Sequence, residues 1–208
     1  MYIPEAFRED DVAALHEIMR EYSFATLITP QRDSQLPQVS HIPFVVDTTR
    51  GPYGTLQAHL ARANTQWQDF SEDQGVMVIF QGPHNYITPS WYEANEANVP
   101  TWNYAVVHAY GKPRIVEDHD AVYRMLQTLT QQNEASFEKP WTFQASPEAL
   151  ALRFKGLVAF EIELTRLEGK FKLSQNRRTS DRLHVIDALQ ICEEARNIAV
   201  ATLMKKAL

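Results

Sequence analysis

The strand-like runs of this chain follow one another too closely, with too few helices between them, to be wound as βαβ units. FATLIT (24–29), VSHIPFVVD (39–47), a run opening at Thr55, GVMVIFQG (75–82), NYITPSWY (85–92), 99–116 and 157–173 are rich in β-branched and aromatic residues. Gly, Pro, Asn and Ser bound them, as turns require. Helical spacing appears only at 10–22, from Asp118 to about 137, at 146–154 and over about 181–206. Parallel strands need a crossover between every pair, so the sheet is expected to be antiparallel. The pattern predicts a mainly β fold of six to eight strands, a closed or partly closed antiparallel barrel with peripheral helices. One domain is expected over 1–208, with a helical C-terminal segment at about 181–206.

Local signals sharpen the boundaries. Asp10 and Asp118 read as N-caps, and Ser146 with Pro147 reads as another helix start. GVMVIFQG is apolar almost throughout and predicts a strand buried on both faces. Gly111 to Pro113 predicts a break between two strands, and 165–169 a turn ahead of a further short strand.

Composition excludes several functions. A net charge of −6 speaks against a non-specific nucleic-acid binder, which needs a basic face. A single cysteine, Cys192, forbids an internal disulfide, fits a reducing compartment and reads as a small apolar residue on a late helix. No apolar run approaches the roughly 18 residues of a membrane span, and MYIPEAFREDD has no signal-peptide pattern. A cytoplasmic protein without a membrane partner is expected. The seven histidines show no metal-ligand spacing, and neither GxSxG nor GxGxxG occurs, so no metal and no nucleophile is predicted.

Three stretches carry candidate chemistry. GTLQAHLARANTQWQDF (54–70) reads either as an amphipathic helix over 56–70 or as a strand handing over to a helix capped by Asn64. In a strand, Arg62 shares a face with Leu60, and His59 shares the other with Ala61. If the strand ends near Arg62, its guanidinium, the free N–H groups of the next turn and His59 can surround one phosphate. PTWNYAVVHAYG (100–111) puts Trp102, Tyr104, Val106, His108 and Tyr110 on one face. That row is either packing or a wall for a planar ring, with Asn103 or Thr101 at its polar edge. GKFKLSQNRRTSDR (169–182) is the most basic stretch of an acidic chain, either a solvated turn or a rim that meets an anion.

MYIPEAFREDD, AHLARANTQW, FQGPHNYITPSWY, VPTWNYAVVHAYG and KFKLSQNR occur in that order. Together they resemble the PaiB family of FMN-binding negative transcriptional regulators, from Tyr2 to about Arg182. Thr65 and Thr88 stand where the family pattern often has Pro and Ser. The resemblance implies an FMN-binding split β-barrel, usually a homodimer with the flavin in a groove between subunits. It makes His59, Arg62 and Asn64 candidates for the phosphate end and Trp102 and Asn103 for the ring end. Lys172 and Gln175 would reach the cofactor from the same or the partner chain. A regulatory partner or DNA is implied, the latter resting on 170–182. Two alternatives remain: an FMN-dependent oxidoreductase of the flavin-reductase type, and a haem-binding or haem-degrading split barrel using His84, His108 or His184.

Overall fold

The computed structural model describes residues 1–31, 34–71, 73–93, 98–143, 154–191 and 194–208. Among these are eight strands: β1 (Arg8–Glu9), β2 (Phe24–Thr29), β3 (Gln38–Pro43), β4 (Val45–Asp47), β5 (Thr55–Ala61), β6 (Val76–Ile87), β7 (Thr101–Ile115) and β8 (Leu157–Lys172). Four α-helices accompany them: α1 (Val12–Glu21), α2 (His119–Glu134), α3 (Thr179–Ile191) and α4 (Ala195–Lys206). The hydrogen-bonded order is β3-β2-β6-β7-β8-β5-β4, with β1 added to β8. The β2–β3, β2–β6, β4–β5, β5–β8 and β1–β8 pairings are all antiparallel. Short connections and few helices produce the antiparallel sheet that the sequence pattern demands.

The chain divides into two compact units, and the three long strands run through both. One comprises Met19–Phe80 and His108–Leu167. Its centre is aromatic: Phe44 meets Phe80 and Phe160 edge-on at 5.9 and 6.3 Å, and Phe70 meets Phe160 at 4.9 Å. Edge-to-face geometry lets these rings pack with their quadrupoles aligned, beyond the gain from burial. Helix α2 covers a second cluster of Val122, Met125, Phe154 and Ala159. Asp118 caps this helix, accepting from the Ala121 N–H at 2.7 Å.

The other unit comprises Met1–Ile18, Gln81–Val107 and Glu168–Leu208. Here α3 and α4 bury Val185, Ile186, Leu189, Val200 and Met204. The helical C-terminal segment is thus two helices rather than one. The Cys192 position and most of 146–154 lie outside the described residues. Asp11, not Asp10, caps α1: its Oδ1 accepts from the Ala13 N–H at 2.9 Å.

Three strand expectations need correction. β7 is continuous through Gly111 and Pro113. Gly111 is a point of close approach rather than a turn, since a Cβ there would collide with the Glu163 carbonyl. β8 likewise runs unbroken through 165–169. At Gly169 a Cβ would strike Leu15 and the Glu9 carbonyl, so β1 and α1 require the glycine. Finally, β6 is not buried on both faces: Val76, Val78 and Phe80 are buried, while Met77 and Ile79 on the alternate face are half-buried.

Candidate functional site

Strand β5 stays extended from Thr55 to Ala61, which eliminates the helix reading of 56–70. Its pleat sends His59 to one face and Leu60 to the other, with Arg62 just past the strand end. Asn64 then caps a short 3-10 turn, Thr65–Asp69, by accepting from the Gln66 N–H at 3.0 Å. The sequence reading opens a helix turn at Asn64 whose free N–H groups would help to surround a phosphate. The turn has five residues, and its own cap takes up one of those groups. An anion at this position would therefore be met by side chains.

Each of the three side chains is differently committed. The Arg62 Nε and one terminal nitrogen donate to the Lys155 and Leu157 carbonyls, both at 2.8 Å, clamping the β5 exit to the start of β8. The guanidinium also lies over the Trp67 ring at 5.9 Å. Its other terminal nitrogen, Nη1, has no hydrogen-bond partner among the described residues. Asn64 is held by its own chain: beyond its cap bond, its Nδ2 donates to the Ser40 hydroxyl at 2.9 Å. His59 is different. Its Nδ1 is buried with no partner among the described residues, and burial lowers its pKa below the ordinary histidine range. A buried ring nitrogen left unpaired costs free energy unless something else meets it.

In the other unit, Trp102 and Asn103 leave β7 on opposite faces. Trp102 is 53% exposed and Asn103 fully buried, so they do not line one wall. The Asn103 amide donates to the Ser174 hydroxyl at 2.9 Å and to the Met204 sulfur at 3.3 Å. Trp102 instead shares an outward surface with His84 and Tyr86 of β6, at ring distances of 6.3 and 6.0 Å. Lys172 donates to the Thr101 hydroxyl at 2.5 Å and to the Trp102 carbonyl at 2.7 Å, fixing the backbone that carries this ring. Burial, then the nearby Lys170 and Arg177 charges, lowers its pKa. Gln175 turns back on its own chain, accepting from the Leu173 N–H at 2.7 Å and donating to the Phe171 carbonyl at 2.5 Å.

Ser40 and Tyr86 escape the sequence reading, and His84 enters it only as a candidate haem ligand. Ser40 joins Asn64 from β3, a contact across 24 residues with no local signature. His84 and Tyr86 stand two apart in NYITPSWY and its flank, and that period-2 spacing was available as a signal once β6 is known to continue to Ile87.

A family model described as "Putative FMN-binding domain" matches residues 1–166. The chain belongs to this family. It is also 35% identical over 207 residues to the Bacillus subtilis "Protease synthase and sporulation protein PAI 2", covering 99% of this chain and 97% of that one. An uncharacterised Emericella nidulans protein, AN0679, is 34% identical over 227 residues, covering 91% and 90%. Among solved structures, the FAD and heme binding protein of Mycobacterium smegmatis superposes with a TM-score of 0.61 at 13% identity, over 85% of this chain and 78% of that one. The flavocytochrome Anf3 of Azotobacter vinelandii also gives 0.61, at 12% identity, over 79% and 69%. At such identities the likeness is one of fold, and that fold is the antiparallel split barrel.

FMN is the cofactor of the family. Arg62 offers an uncommitted N–H pair and a permanent charge. His59 offers a buried nitrogen with no partner among the described residues. When bound, FMN supplies the redox chemistry of its ring, and the protein's part is to hold and orient it.

Proposed function

We propose that the protein is a cytoplasmic FMN-binding homodimer that acts as a negative regulator of transcription. In this reading Arg62 and His59 take the FMN phosphate, and Asn64 holds the turn that carries them. The exposed surface of Trp102, Tyr86 and His84 offers a stacking face for a planar ring, in whichever subunit it is used. Lys172 positions that face through the Trp102 carbonyl; Asn103 and Gln175 shape the backbone nearby. The single observation that carries this reading is the unpaired, buried His59 nitrogen on the strand that delivers Arg62.

The basic stretch 169–182 supports control through a small molecule or a protein partner rather than through direct phosphate contacts to DNA. Lys170 donates to the Tyr2 carbonyl, Lys172 to Thr101, Arg177 to Asn98 and Arg182 to the Ala207 carbonyl. These acceptors are neutral, so each cation keeps its charge but is held against its own chain, and the net charge of −6 opposes a duplex as a whole. The test is an FMN titration of the purified protein with its mass in solution, alongside binding to its own promoter at several salt concentrations. One FMN per subunit of a dimer, with weak DNA affinity that barely changes with salt, is the expected result. Absence of FMN binding would defeat the cofactor assignment. Tight, steeply salt-dependent DNA binding would defeat the indirect route.

A further inference from the structure

The unit formed by Met19–Phe80 and His108–Leu167 carries two adjoining grooves, of about 590 and 390 Å³, that share Lys112. The larger has an apolar floor and lip formed by Ile28, Leu36, Met77 and Tyr110. The smaller is cationic. Arg50 and Arg114 both bind Glu161, which is only 6% exposed. Arg50 engages both carboxylate oxygens, at 2.8 and 3.0 Å. Glu161 is thereby neutralised with positive charge to spare. With Lys112 added and Glu163 set against it, the side chains that line the groove carry a net charge of +1, with Asp47 also acting on Arg50 from outside the lining. Lys112 and Arg114 lie two apart on β7 and are both exposed, so they project from the same side of the strand. None of these residues belongs to the His59, Arg62 and Asn64 cluster.

We propose that this pair of grooves binds a second small molecule, an amphipathic organic anion. Its apolar body lies along Ile28, Met77 and Tyr110, and its carboxylate or phosphate meets Lys112 and Arg114. Apolar surface at one end and unbalanced positive charge at the other select this chemistry. A neutral apolar molecule would leave the cations unused, and a bare inorganic anion would leave the apolar floor wet. Such a ligand would be a natural effector for a protein that regulates without gripping DNA, but the site stands whether or not that role does.

The experiment is calorimetric titration of the FMN-loaded protein with octanoate, octyl phosphate and octanol. The two anions distinguish a carboxylate from a phosphate source, and octanol reports the apolar contribution alone. Saturable binding of one anion per subunit is expected, with octanol weaker by about tenfold or more, the scale of one lost charged hydrogen bond. Lys112→Glu and Leu36→Asp, both at exposed positions, are each expected to weaken the anion by about tenfold or more while FMN affinity is unchanged. No saturable binding, equal binding of octanol, or an unchanged affinity in Lys112→Glu would overturn the proposal. Loss of FMN from Lys112→Glu would also overturn it, by placing FMN itself in these grooves. Retention of FMN with no octanoate or octyl phosphate bound would leave the FMN reading intact while removing this one.

Discussion

Arg62→Ala separates two things that this side chain does. Its hydrogen bonds to the Lys155 and Leu157 carbonyls, both at 2.8 Å, hold the β5 exit against the beginning of β8. Each such bond contributes about 0.5–1.5 kcal/mol net, and the stacking over Trp67 adds about 0.5 kcal/mol at an exposed site. Removing all three should destabilise the FMN-free protein by about 2 kcal/mol, read from urea unfolding followed by tryptophan fluorescence. Loss of the phosphate contact should cost a further 1.5–3 kcal/mol or so in FMN affinity, about ten- to a hundredfold in Kd. Arg62→Lys tells the two apart. Lysine keeps the charge but cannot fork across two carbonyls. It should lose most of the stability while retaining more of the FMN affinity than alanine does. If Arg62→Ala unfolds at the wild-type urea concentration, the clamp has no energetic weight. If its FMN affinity is also unchanged, the phosphate assignment falls with it.

Glu161→Gln should destabilise by about 1–3 kcal/mol, since it removes the charge that two arginines share, discounted because both guanidiniums are partly exposed and rehydrate. The Arg50 hydrogen bond holds the Glu161 carboxyl below the usual glutamate range. Its stabilisation is therefore complete above about pH 4.3, the unfolded value, and is lost as pH falls through the lower folded one. Wild type should lose stability in that acid window faster than Glu161→Gln, and parallel curves would contradict the pairing. Gly111→Ala should cost about 1–3 kcal/mol as overpacking against a backbone carbonyl that cannot step aside; an unchanged melting temperature would show that β7 and β8 can separate there. Trp102→Ala should leave FMN-free stability within about 0.5 kcal/mol, as expected of an exposed side chain. It should also reduce the quenching of flavin fluorescence on binding, and full quenching would exclude Trp102 from the ring face.

What the sequence discloses and what it withholds divide along physical lines. β2 is readable to the residue because FATLIT is a compact β-branched run closed by turns, and α2 is readable because Asp118 is a local cap. Asn64 is legible for the same reason, as a cap that acts within two residues. The errors in β7 and β8 share one cause. Gly111 and Gly169 look like turn glycines, yet each is needed where another element comes close, and that closeness depends on residues far along the chain. At the site, the types of residue at the β5 exit could be read, but their commitments could not. Arg62 meets carbonyls 93 and 95 residues away, and Asn103 turns inward to Ser174, 71 residues on.

In the proposed reading, Arg62 and the buried His59 nitrogen, which has no partner among the described residues, hold the phosphate of FMN. Comparing the affinities of FMN and riboflavin, which differ by that phosphate alone, tests it most directly. Wild type should bind FMN at least about tenfold tighter than riboflavin, as one charged hydrogen bond or more requires. That preference should collapse in Arg62→Ala. Equal affinity for the two flavins, or a preference for FMN that survives in Arg62→Ala, would contradict the account.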